Sequence, residues 1–66
     1  MTEVEQKVVE FLCKNKQAYT KTIYKAVNGK GYGYSLNKFR KLLELMTMQN
    51  CIKYKHNGLP HPYWYI

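Results

Sequence analysis

A chain of 66 residues makes one domain and buries only roughly 60% of the surface its unfolded form exposes, which excludes a multi-lobed enzyme built around an interdomain cleft. Hydrophobic residues supply 45% of it and aromatics 15%, enough for one packed core without metal or disulfide staples, so a disordered chain is excluded too. The formal charge is +7, and beyond residue 10 ten cations face a single acid, Glu44, so most of the molecule projects a positive potential that attracts a polyanion.

Thr2 and Glu5 have the spacing of a capping box, which starts a helix. Val4, Val8, Phe11 and Leu12 follow at i, i+4, i+7 and i+8, one stripe facing the core, while Lys7, Glu10 and Lys14 face water. This first helix is expected to end near Asn15, with acids at its start and lysines at its end complementing the dipole. Gln17-Ala18-Tyr19 reads as a short extended piece. Thr20 is the expected N-cap of a second helix, which turns Ile23, Ala26 and Val27 inward and stops at Asn28-Gly29, where Gly tolerates a left-handed conformation.

Gly29 to Tyr34 reads as a flexible turn. Its glycines have the composition of a phosphate cradle, but no Lys-Ser/Thr ending follows and a helix rather than a strand precedes them, so nucleotide binding is not inferred. Ser35 caps a third helix with the apolar stripe Leu36, Phe39, Leu42, Leu43 and Met46, running to about Gln49 and closed by Asn50. Its opposite face holds Asn37, Lys38, Lys41 and Glu44, with Arg40 at the rim. A plain solvated face would mix acids with bases; this one is amide and cation in its first two turns.

From Cys51 the period changes to two. Ile52, Tyr54 and His56 alternate with Cys51, Lys53 and Lys55, and Asn57-Gly58 is a strong hairpin signal. Leu59-Pro60-His61-Pro62 lengthens and stiffens the tip, and Tyr63-Trp64-Tyr65-Ile66 forms the return strand. Trp64 and Ile66 are expected on the core face with Ile52 and Tyr54.

The order helix, short strand, helix, turn, helix, hairpin, carried by Thr20, the Gly29 to Gly33 turn, the Leu36/Phe39/Leu43/Met46 stripe and Asn57-Gly58 ending in Trp64, resembles the winged helix-turn-helix family over essentially the whole chain. The resemblance implies an α+β fold, a three-helix bundle with a C-terminal β-hairpin wing. It also implies double-stranded DNA as partner, the third helix (about 35 to 49) in the major groove and residues 51 to 66 as the wing, in a sequence-specific transcription regulator without enzymatic activity. Asn37 suits adenine, Lys38, Arg40 and Lys41 suit guanine or phosphate, and Ser35 suits a phosphate at the helix N-terminus. Thr20, Lys21, Lys25, Lys30, Lys53, Lys55, Asn57, Gly58 and His61 are candidate backbone contacts. Pro62-Tyr63-Trp64 is similar to the wing of Z-DNA-binding winged helices, but Arg40 and Glu44 stand where that subfamily has its Asn and Tyr contacts, and the Z-form reading is not adopted.

Rival readings use the same basic face to dock an acidic protein, or to bind RNA or single strands with help from Tyr19, Tyr24, Tyr32 and Tyr34. Val9, Leu45 and Met48 fall off the expected core faces, which points to a homodimer. Cys51, His56 and His61 are evenly spaced, but Lys53 and Lys55 would repel a metal ion; no metal, cofactor or small-molecule ligand is inferred. Cys13 and Cys51 fit no zinc or redox spacing and read as reduced thiols. No apolar run approaches the roughly 20 residues that span a bilayer, so a soluble protein of the cytoplasm or of a host cell's interior, without a membrane partner, is expected. A stand-alone domain of this kind is typical of viruses, phages and plasmids, by analogy of architecture alone.

Overall fold

The computed structural model describes residues 2–56 and 62–66. Three helices, α1 (Glu3–Asn15), α2 (Thr20–Ala26) and α3 (Leu36–Met48), pack with a three-stranded antiparallel sheet of β1 (Gln17–Tyr19), β2 (Lys53–Lys55) and β3 (Tyr63–Tyr65), in the order β1-β3-β2. The molecule is thus a small α+β fold in the expected element order.

The helix starts are set by local chemistry. The Glu5 N–H donates to Thr2 Oγ1 (3.4 Å) while the Thr2 N–H and hydroxyl donate to Glu5 Oε1 (3.1 and 2.8 Å), closing the expected capping box. Ser35 Oγ likewise accepts from the Lys38 N–H at 3.3 Å and caps α3. Thr20 departs from expectation. It is the first residue of α2 rather than its cap, and Tyr19 occupies the cap position without a side-chain bond. The Thr20 hydroxyl is instead taken by the indole of Trp64, whose Nε1–H donates to it at 2.8 Å.

At the other end of α3, Asn50 adopts φ 61°, the Asn50 N–H donates to Thr47 O and the Cys51 N–H donates to Met46 O. This is a Schellman closure with Asn in the left-handed position. It spends the backbone donor of Cys51 on the helix, so β2 begins at Lys53, two residues later than the alternation suggests.

Between α2 and α3 the expected flexible turn is a 3-10 helix, η1 (Gly29–Tyr32), framed by left-handed Asn28 (φ 57°) and Gly33 (φ 85°). Asn28, not Gly29, makes the left-handed step. Gly29 is required for space: a Cβ there would lie 2.5 Å from the Tyr24 ring and 3.3 Å from the Phe39 ring. The Tyr24 ring has nowhere to retreat, because its hydroxyl donates to Tyr34 O at 2.6 Å and its edge meets Phe39 at a 5.3 Å centroid distance. Tyr32 ties η1 to α1, donating to Glu3 Oε1 at 3.0 Å with the Lys7 amine 5.3 Å from its ring centre. Tyr24, Tyr32 and Tyr34 are therefore occupied in packing or tethering.

The core is formed by Val4, Val8 and Leu12 of α1, Ile23 and Val27 at α2, Phe39, Leu43 and Met46 of α3, and Ile52 and Trp64. Phe11, Val9 and Leu42 pack half-buried against it. Ala26, expected inside, is exposed, and Tyr24 fills the space beside Phe39 instead. Of the four residues expected on the inner face of the ribbon, Ile52 and Trp64 are buried but Tyr54 and Ile66 are each 47% exposed. Tyr54 pairs with Trp64 across the sheet and its ring is tilted 55° from the indole at 5.0 Å; alternation sets the side of the sheet, not how far the core reaches beneath it. Leu36, the first residue of α3, is similarly 41% exposed.

Candidate nucleic-acid interface

Ser35, Asn37, Lys38, Arg40 and Lys41 are all exposed in the first two turns of α3. They do not share one direction. At about 100° per residue, Asn37 and Arg40 turn toward the sheet, Lys41 points outward, and Lys38 stands on the far flank beside Leu45. Asn37 and Arg40, with Leu36, line a groove of about 880 Å³ whose other walls are Tyr19 at the end of β1, Thr20, Lys21 and Thr22 of α2, and Tyr54, His56 and Pro62 of the ribbon. Arg40 Nε lies 3.5 Å from Glu44 Oε1 with both side chains more than half exposed, a pair worth about 0.3–0.5 kcal/mol that orients the guanidinium without burying it.

The remaining candidates fall in several places. Lys21 is in the groove; Lys25, one turn on, and Lys30 on η1 are exposed but do not line it. Thr20 lines it, yet its oxygen is already accepting from Trp64. Ser35 is engaged in the cap of α3, which leaves its hydroxyl proton available to a ligand. Asn57, Gly58 and His61 lie outside the described residues.

Lys53 and Lys55 are separated from this groove by the sheet itself. Lys53 pairs with Tyr65 and Lys55 with Tyr63, whereas Tyr54 pairs with buried Trp64, so the two lysines stand on the face opposite Tyr54. The basic residues of helix and ribbon, grouped by the sequence into one surface, occupy two.

Thr22, Leu36, Tyr54, His56 and Pro62 are the groove residues that sequence reasoning did not assign to a site. The parity of Ile52, Tyr54 and His56 was the available signal: continued outward past the core, that face meets the N-terminal end of α3. Together the groove offers an amide, two cations, an imidazole and an apolar floor. Such a set hydrogen-bonds base edges, contacts phosphates and packs on thymine methyls.

Cys13 is exposed and Cys51 half-buried, both as free thiols. Among the described residues no three His, Cys, Asp or Glu side chains gather closely enough to hold a metal ion, and no helix is long and apolar enough to cross a membrane. The chain matches no protein-family model, no curated protein and no solved structure.

Proposed function

We propose that this chain is a winged helix-turn-helix protein that binds double-stranded DNA in a sequence-specific manner, as a transcription regulator or accessory factor. In this reading α3 enters the major groove from its N-terminal half, α2 crosses the backbone through Lys21, and the β2-β3 ribbon is the wing. The observation that carries it is the exposed Asn37-Lys38-Arg40-Lys41 surface, opposed by Glu44 alone, beside a groove walled by Lys21 and the ribbon. Asn37 and Arg40 read bases, Lys38, Lys41 and Lys21 hold phosphates, and Leu36 and Tyr54 supply the apolar contact.

Leu45 and Met48, 47% and 79% exposed, are where a second copy would pack; Val9 is tucked half-buried against the core and contributes less than its position on the helical wheel suggests. A dimer of this kind binds half-sites about one helical turn apart.

Selection of duplex from a random pool, followed by anisotropy titration at several salt concentrations, tests the reading. Roughly five phosphate contacts per subunit give a log-log slope near −4 to −5, doubled for a dimer. Asn37→Ala is expected to weaken the selected site by about 1–3 kcal/mol while leaving random duplex nearly unchanged. Absence of duplex binding at low salt would refute the proposal and leave an acidic protein, or RNA and single strands, as the partner.

A further inference from the structure

Sheets with one face on a core turn polar side chains to water on the other. The outer face here is different. Its two cross-strand rows are Tyr19-Tyr63-Lys55 and Gln17-Tyr65-Lys53, three tyrosines and two lysines with no carboxylate. Core formation does not explain the rings, since Trp64 and Ile52 supply the inward packing, and protection of the β2 edge needs only the lysines.

The rings are arranged for contact with flat ligands. Tyr19 meets Tyr63 edge-on (6.4 Å between centres, 89° between planes) and Tyr63 is tilted 50° from Tyr65 at 6.1 Å, so no two of them lie stacked face to face. Tyr19 is 47% exposed and Tyr65 half-buried. Lys55 and Lys53 sit directly across the sheet from Tyr63 and Tyr65, within the roughly 5 Å that separates paired Cβ atoms. Beyond Tyr19 the surface continues into a groove of about 510 Å³ between α1, β1 and α2, where Asn15 and Gln17 place amides beside Phe11 and Tyr19. Asn15 Nδ2 is spent on Phe11 O at 2.9 Å, which leaves its oxygen to accept from a ligand.

We infer that this face is a second nucleic-acid site, for single-stranded chains: unpaired bases stack on Tyr19 and Tyr65, Lys53 and Lys55 neutralise the phosphodiester, and the Asn15/Gln17 groove receives one base by its edge. A duplex does not suit it, because stacking needs the base faces that a duplex keeps inside. Of these residues only Tyr19 also borders the α3 groove; Tyr65, Lys53, Lys55, Asn15 and Gln17 do not, so single-strand binding is separable from duplex binding.

The test titrates the full chain, at low salt, with labelled oligothymidylate and oligouridylate of about 15 nucleotides, the upper range of site sizes for single folds, and with an abasic oligomer of equal length. Base stacking predicts that the abasic chain binds at least about five-fold more weakly, and that Tyr19→Leu/Tyr65→Leu costs the thymidylate or uridylate chain the same factor or more. Tyr19→Phe/Tyr65→Phe is expected to bind as wild type, and Lys53→Gln/Lys55→Gln more weakly, by a larger factor than Lys38→Gln/Lys41→Gln, which removes the same charge from the other face. The tighter of the two oligomers identifies DNA or RNA as the source. If Tyr65→Leu does not fold, Tyr19→Leu on the edge strand serves together with Lys53→Gln/Lys55→Gln, whose residues line no part of the α3 groove. Equal affinity for the abasic chain, loss through the α3 lysines instead of the tyrosines, unchanged affinity with a lowered melting temperature in the Leu variants, or no single-strand binding at all would each overturn the inference.

Discussion

Replacing Thr20 by Val isolates a hydrogen bond that joins the start of α2 to the central strand, 44 residues away. Val keeps the shape of the side chain, so no cavity opens and the loss is electrostatic: the Nε1–H of Trp64, a residue 1% exposed, is left without an acceptor. An unsatisfied buried donor costs about 1–3 kcal/mol. In a chain of this size each kcal/mol lowers Tm by roughly 7 °C, so a fall of about 7–20 °C is expected. Trp64 is the only tryptophan, and urea unfolding followed by its fluorescence reports both the midpoint and the m-value. The midpoint should drop with m unchanged, and Thr20→Ser, which keeps the acceptor, should recover most of the difference. A Thr20→Val protein within about 0.5 kcal/mol of wild type, or a Ser variant as unstable as the Val one, would refute the role given to this bond.

Gly29→Ala is expected to destabilise by about 1–3 kcal/mol, measured by the same urea titration, because the new Cβ overlaps a Tyr24 ring held at both its hydroxyl and its edge. Lys16, the C-cap of α1, sits at φ 70° and ψ −49°, a conformation costly for any side chain, and Lys16→Gly should raise stability by about 0.5–1 kcal/mol in thermal melts. The Glu5 carboxyl is held below its ordinary value of 4.5, first by the Thr2 side-chain hydrogen bond and then by the Thr2 backbone. The folded state thus binds fewer protons than the unfolded one as that group titrates. The stability it confers is complete above pH 4.5 and is lost as pH falls through the depressed folded value. Thr2→Ala should remove this acid dependence along with about 0.5–2 kcal/mol of cap stability at neutral pH, read from unfolding midpoints at several pH values.

Much of the helical layer was legible before any coordinates because its signals are local. Thr2 with Glu5, and Ser35 before an apolar stripe, place caps within one turn of what they cap. Val4, Val8 and Leu12, and Phe39, Leu43 and Met46, reach the core because a period of 3.6 leaves them no other side to face. The exposed cations of α3 follow from the same periodicity. The candidate groove was harder to see: its walls come from α2, α3 and the ribbon, and Leu36 and Tyr54 look like core residues until the extent of the core is known.

Composition, capping chemistry and hydrophobic period were sufficient to specify three helices, most of their inward faces and a strongly cationic exterior. Tertiary pairing decided the rest. Only the pairing of Tyr54 with Trp64 and of Lys53 with Tyr65 separates the ribbon lysines from the α3 groove and gathers them with Tyr19, Tyr63 and Tyr65. Only the approach of Trp64 turns Thr20 from a cap into an acceptor, and only the Tyr24 ring makes Gly29 indispensable. These contacts join residues distant in the chain, and no periodicity within a single element encodes which face of another it will meet.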